Sequence, residues 1–163
     1  MSEREIFEVS EEELESMRAP FTFEVPEEEL MTPGIPSHKE LRNMILKVGE
    51  LEGFESQKEF PIDRERLDGI WKRRGRVKPD VAFEVQKGGD FYSALVKLKE
   101  AWDRWGCISV LITTEEYIEE AKRWLGRAFH EMEKDARVVH WSKIKEWFNT
   151  LEIRKKIRDE IRI

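Results

Sequence analysis

The sequence is poor in cysteine, with Cys107 alone among 163 residues, which excludes disulfide frameworks and cysteine-type zinc sites. Cys107 lies inside the apolar run 107–112, where a buried structural thiol is expected rather than a nucleophile. Histidine is scarce too: His38, His130 and His140 show neither His-x3-His nor His-Glu-x-x-His spacing, so zinc is not implied and each is expected to be a cap, surface or strand-end residue. No apolar stretch approaches the roughly 18 residues of a membrane span. The opening Met1-Ser2-Glu3-Arg4-Glu5 lacks the basic and apolar regions of a signal peptide. These absences point to a soluble, cytoplasmic protein with no membrane partner. Gly88-Gly89 lacks the Gly-x4-Gly-Lys-Ser/Thr frame of a phosphate loop and is expected only to release a strand into a helix.

Charge is abundant. Asp, Glu, Lys and Arg make up 39% of the chain, against roughly 25% in average soluble proteins, a bias found on the ion-paired surfaces of thermophile proteins. The formal net charge of -6 argues against indiscriminate coating of nucleic acid, so any such contact must be a local basic patch. Seven of the fifteen residues 64–78 are basic: Arg64, Arg66, Lys72, Arg73, Arg74, Arg76 and Lys78. This cluster suits phosphate contacts that position a nucleic acid without reading its sequence.

Three segments are expected. Residues 1–36 are acidic and hold four of the six prolines, which suggests an arm with one short helix over 10–17. Residues 37–141 should form an α/β core. It opens with a capping box, Ser37-x-x-Glu40, before a helix carrying Leu41, Met44, Ile45, Val48 and Leu51. Extended stretches follow at 55–62, 66–72 and 77–86, the last two joined by a hairpin turn at Arg73-Arg74-Gly75-Arg76. Asp90 caps a second helix ending at Gly106, 107–112 is an apolar strand, a helix from Thr114 reaches about 133, and a short strand occupies 137–140. Residues 142–163 read as a charged helix whose Ile153, Ile157 and Ile161 form a stripe suited to the body or to a second subunit, which makes a homodimer reasonable. The order describes a mixed central sheet flanked by helices.

Within the meander, Asp68 interrupts an apolar strand, and Glu84 and Gln86 share one face of the next, with Val81, Phe83 and Val85 on the other. If Asp68 and Glu84 meet across the hairpin, their repulsion calls for a cation, and a hard divalent ion with oxygen ligands answers it. Asp80, preceded by Pro79, lies on the same strand face as Glu84 and Gln86 and is a further candidate ligand. Glu40 is a candidate too, although the capping role is preferred. Lys87 alternates to the opposite face unless a bulge intervenes.

Over roughly residues 37–113 the chain resembles the PD-(D/E)XK nuclease-like superfamily. The order of helix, three-strand meander, helix and strand is similar, and Asp68 followed by Glu84-Val85-Gln86 stands where the motif does, with Gln86 in place of its lysine. The resemblance implies a restriction-endonuclease-like core and a Mg²⁺- or Mn²⁺-dependent nuclease acting on DNA. Asp68 and Glu84 would be its metal ligands and Gln86 would position water. Glutamine can neither carry charge nor act as a base, yet some restriction-type members work with Glu or Gln there. The alternatives are a weak or inactive module on the same fold that binds nucleic acid or protein, and a structural domain in which Asp68 and Glu84 pair with Arg66 or Lys78.

Overall fold

The structure, a computed structural model, describes residues 34–163. The arm expected over 1–36, with its helix at 10–17, lies outside the described residues apart from 34–36. Helix α1 (His38–Leu51) starts where expected: Ser37 Oγ accepts from Glu40 N–H at 3.1 Å, and the Glu40 carboxylate accepts from Ser37 N–H at 3.4 Å. Strands β1 (Glu55–Ile62) and β2 (Glu65–Lys72) follow, joined by the tight turn Asp63-Arg64. After β3 (Val81–Val85) come α2 (Phe91–Trp105), β4 (Ile108–Thr113), α3 (Glu115–Leu125), a 3₁₀ turn (His130–Asp135), β5 (Ala136–His140) and α4 (Trp141–Ile161).

The five strands lie in the order β1-β2-β3-β4-β5, antiparallel from β1 to β3 and parallel from β3 to β5. The chain is therefore α/β with a mixed sheet flanked by helices. The parallel pairs need crossovers, and α2 and α3 supply them. β4 sits between two parallel neighbours, which explains its almost continuous burial. One layer of core joins Ile70, Ala82 and Leu111 to Phe91, Leu95 and Leu98 of α2. On the α1 side, Trp71 packs on Phe83, Phe54 and Trp147 and donates its indole N–H to Ile45 O at 2.9 Å. Gly49 permits this approach of α1, because a Cβ there would collide with the Trp71 indole and the Ser56 hydroxyl.

Two boundaries differ from expectation for physical reasons. β3 begins at Val81, four residues later than the expected 77, because residues 73–80 form a loop held by Asp80 and the buried Pro79. α3 ends at Leu125 because Gly126 closes it and a 3₁₀ turn replaces its expected last two turns. The thiol of Cys107 is buried, and desolvation pushes it up to about 11, as suits a structural residue. Among the described residues no helix is long and apolar enough to cross a membrane.

Candidate functional site

The β2–β3 ladder runs Trp71↔Val81, Ile70↔Ala82, Gly69↔Phe83 and stops. The next step of that register sets Asp68 opposite Glu84, and here side chains replace the backbone ladder. Asp68 N–H donates to Glu84 Oε2 at 3.0 Å, and Val85 N–H donates to Asp68 Oδ2 at 2.7 Å. Each carboxylate thus satisfies a backbone donor of the opposite strand where the strands part.

Two further side chains complete the site, and both come from helices. Lys97 of α2 places its ammonium on Glu84 Oε1 and donates to Arg66 O at 3.3 Å. His38, in the first turn of α1, brings Nε2 to 3.1 Å from Asp68 Oδ2. Exposure grades across the group, from 2% for the Glu84 side chain through 19% for Asp68 and 22% for Lys97 to 48% for His38. Glu84 is therefore the innermost of the four side chains and His38 the outermost.

Burial first, then the hydrogen bond and charge of Asp68, raise the Glu84 pKa to about 8 against the pull of Lys97. Burial also works against ionisation of Asp68, but its bonds to Glu84 and Val85 N–H and the neighbouring His38 outweigh it and hold this carboxyl below its ordinary value. Desolvation disfavours the Lys97 charge, yet the two carboxyls outweigh it and raise its pKa. At neutral pH the group is a carboxylate, a protonated carboxyl and an ammonium, and so is close to neutral. Splits of this kind between neighbouring carboxyls are found at functional sites and in structural ion-pair networks alike.

The other residues singled out in the sequence lie elsewhere. The Gln86 side-chain amide donates to Gly88 O, in the loop leading to α2. Asp80 anchors the β2–β3 loop: Oδ2 accepts Arg73 N–H at 2.8 Å, and Oδ1 accepts Arg73 Nη2 at 3.1 Å with Arg76 Nη1 at 3.6 Å. Desolvation works to raise its pKa, but the Arg73 bonds and both guanidinium charges together outweigh it and leave the carboxyl below its ordinary value. Glu40 serves the capping box. Lys87 follows β3, half-buried, one position past Gln86.

The basic cluster is divided by β2. Arg64 and Arg66 lie at its start, near the carboxylates, with Arg66 3.9 Å from Glu59. Lys72, 3.6 Å from Glu55, and the loop cations Arg73, Arg74, Arg76 and Lys78 lie at its far end.

Glu84 Oε1 is fully enclosed, and among the described residues the Lys97 ammonium lies against it with no neutral donor; a hard divalent ion would find its oxygen ligands in Asp68 and Glu84. Among the described residues no group of three His, Cys, Asp or Glu is arranged to hold a metal. Mg²⁺ commonly uses one or two carboxylates and completes its shell with water and substrate phosphate.

The sequence reading did not single out Lys97, and expected His38 only as a cap, surface or strand-end residue. The available signal for Lys97 was its place beside Ala94 and Leu98, on the border of the buried face of α2. For His38 it was the capping box, which fixes the first turn of α1. Comparison with known proteins gave no matching family model, no similar curated protein and no similar solved structure.

Proposed function

We propose that this chain is a metal-dependent nuclease that hydrolyses phosphodiester bonds in DNA, with Asp68 and Glu84 as ligands of Mg²⁺ or Mn²⁺. The observation that supports it best is the carboxylate pair across the β2–β3 gap, one member buried and holding its proton to about pH 8. A divalent ion there would supply Lewis-acid polarisation of a phosphate oxygen and a more acidic water. The chain's own residues supply the rest. Glu84 and Asp68 would hold the ion from two adjacent strands. Lys97, against Glu84 Oε1, would provide the positive charge that Gln86 lacks. Gln86 would reach a water in this site only by leaving Gly88 O.

One observation favours the second reading, a nucleic-acid-binding module with a silent site. Both carboxyl groups already accept backbone N–H groups, and the Lys97 ammonium already occupies the place beside Glu84 Oε1. The two readings separate in a panel of single-stranded, duplex and branched DNAs, each incubated with Mg²⁺, Mn²⁺ or chelator. The nuclease reading expects cleavage with metal, none in chelator, and none from Asp68→Ala or Glu84→Ala proteins that still melt cooperatively. Binding without cleavage under every condition would establish the silent module. Cleavage that survives chelator or both substitutions would remove the site from the chemistry.

A further inference from the structure

The loop between β2 and β3 combines features that the carboxylate site does not use. Residues 73–80 hold four cations (Arg73, Arg74, Arg76, Lys78) and one acid, Asp80, a formal charge of +3 by subtraction, within a chain of net charge -6. The loop is built rather than loose. Arg76 N–H donates to Arg73 O at 3.0 Å and Gly75 takes φ 82°, which makes a tight turn with glycine where positive φ is required. Asp80 N–H returns to Trp71 O at 2.8 Å, its carboxylate clamps the Arg73 backbone and guanidinium, and Pro79 is buried beneath. Arg73 and Arg76 are tied to Asp80, whereas Arg74 and Lys78 have no acidic partner among the described residues. Between these cations Val77 is 87% exposed, more than any other large hydrophobic side chain of the described residues.

A β-branched apolar residue held in water between the cations of a clamped loop suits a partner that is polyanionic outside and apolar within. We propose that this loop enters a groove of duplex DNA, with Arg74 and Lys78 on the two flanking phosphate strands and Val77 against the sugars and base edges of the groove floor. An acidic protein surface would match the charge but gives no reason for the exposed valine between the cations. A duplex groove meets both, since apolar residues carried by narrow cationic elements are a recurrent way of entering the minor groove. The groove, roughly 6 Å across, admits a single loop more readily than a helix. The four residues from Asp68 to Lys72 span about 13 Å at about 3.3 Å each. With β2 aligned along the duplex axis, that distance is about four base pairs at about 3.4 Å each. This inference adds a substrate form, duplex, to the proposed nuclease and rests on that reading only for the polymer's identity.

The test measures binding of the full chain in chelator, so that cleavage plays no part, to one sequence presented as duplex and as single strand over a salt series. Poly-glutamate is added as an acidic-polypeptide competitor. Expected are tighter binding to duplex by about tenfold or more, and loss of most of that preference in Val77→Ser with an unchanged salt slope, because no cation is removed. Arg74→Ala with Lys78→Ala should instead lower the slope by about 1.8, at about 0.9 per phosphate contact. All three side chains project from the surface, and an unchanged melting temperature verifies the fold. Equal binding of single strand and duplex, a Val77→Ser protein indistinguishable from wild type, or displacement by poly-glutamate at equal charge would each overturn the proposal. Duplex binding through Val77 without metal-dependent cleavage would refute the nuclease reading alone, and cleavage indifferent to Val77 would refute the loop proposal alone.

Discussion

Glu84 should make the folded protein less stable as pH rises, and Glu84→Gln should remove that dependence. The side chain is 2% exposed and its pKa rises from 4.5 to about 8 through burial first and the adjacent Asp68 second. The folded state therefore keeps a proton that the unfolded state releases, so stability falls as pH climbs from about 4.5 through 8. Between pH 5 and pH 9 the two-pKa expression gives a loss on the order of 4 kcal/mol, at 1.36 kcal/mol per pKa unit. Asp68 has the opposite sign, but its depressed pKa confines its effect to more acidic solution, below this window. Glutamine keeps the shape and an oxygen for the Asp68 N–H. The variant should hold its melting temperature from pH 5 to pH 9 while wild type falls by roughly 10 °C, at roughly 2–4 °C per kcal/mol for a domain of this size. Calorimetric melting at five pH values decides the matter. Equal slopes for the two proteins would show that Glu84 ionises normally in the folded state, and the electrostatic account of the site would fail.

Lys97→Met should cost only about 1–2 kcal/mol at pH 7, well under the 3–5 kcal/mol of a broken buried ion pair, because Glu84 can keep its proton. Denaturant titrations at pH 7 and pH 9 should show that cost growing with pH, and metal-dependent cleavage should fall by about 10²–10³, as when a charge-stabilising donor is removed. Gly49→Ala should destabilise by about 3 kcal/mol or lower the yield of folded protein, because its methyl group would occupy the space of the Trp71 indole. Near-native stability of that variant in urea would show that α1 can move away from Trp71.

Much of the fold was legible because its signals are local. The Ser37-Glu40 capping box, the Asp90 cap and the apolar spacing of α2 each depend on residues within a few positions of one another. β1 was expected at 55–62 and occupies Glu55–Ile62 for the same reason. The start of β3 was not legible, because Pro79 and the Asp80 clamp on Arg73 hold the loop through contacts made only once β2 and β3 have paired. The carboxylates could be singled out as acids inside apolar strands, and strand alternation put Glu84 and Gln86 on one face. Alternation says nothing of where a long side chain ends, and the Gln86 amide turns to Gly88. Lys97 and His38 enter from α2 and α1, and where the flank of a helix docks is set by tertiary packing that no local pattern encodes. The seven cations looked like one cluster because they are close in sequence, but the eight residues of β2 carry them to two ends of the sheet.

The central claim, that Asp68 and Glu84 form a metal centre, is tested most directly by anomalous diffraction from crystals soaked in Mn²⁺ near pH 8.5, where Glu84 has given up its proton. The account predicts a peak with oxygens of both carboxylates about 2.0–2.6 Å away and the Lys97 ammonium displaced from Glu84 Oε1. Absence of a peak there at millimolar Mn²⁺, with Lys97 still against Glu84, would contradict it and leave the four side chains as a structural seal between β2 and β3.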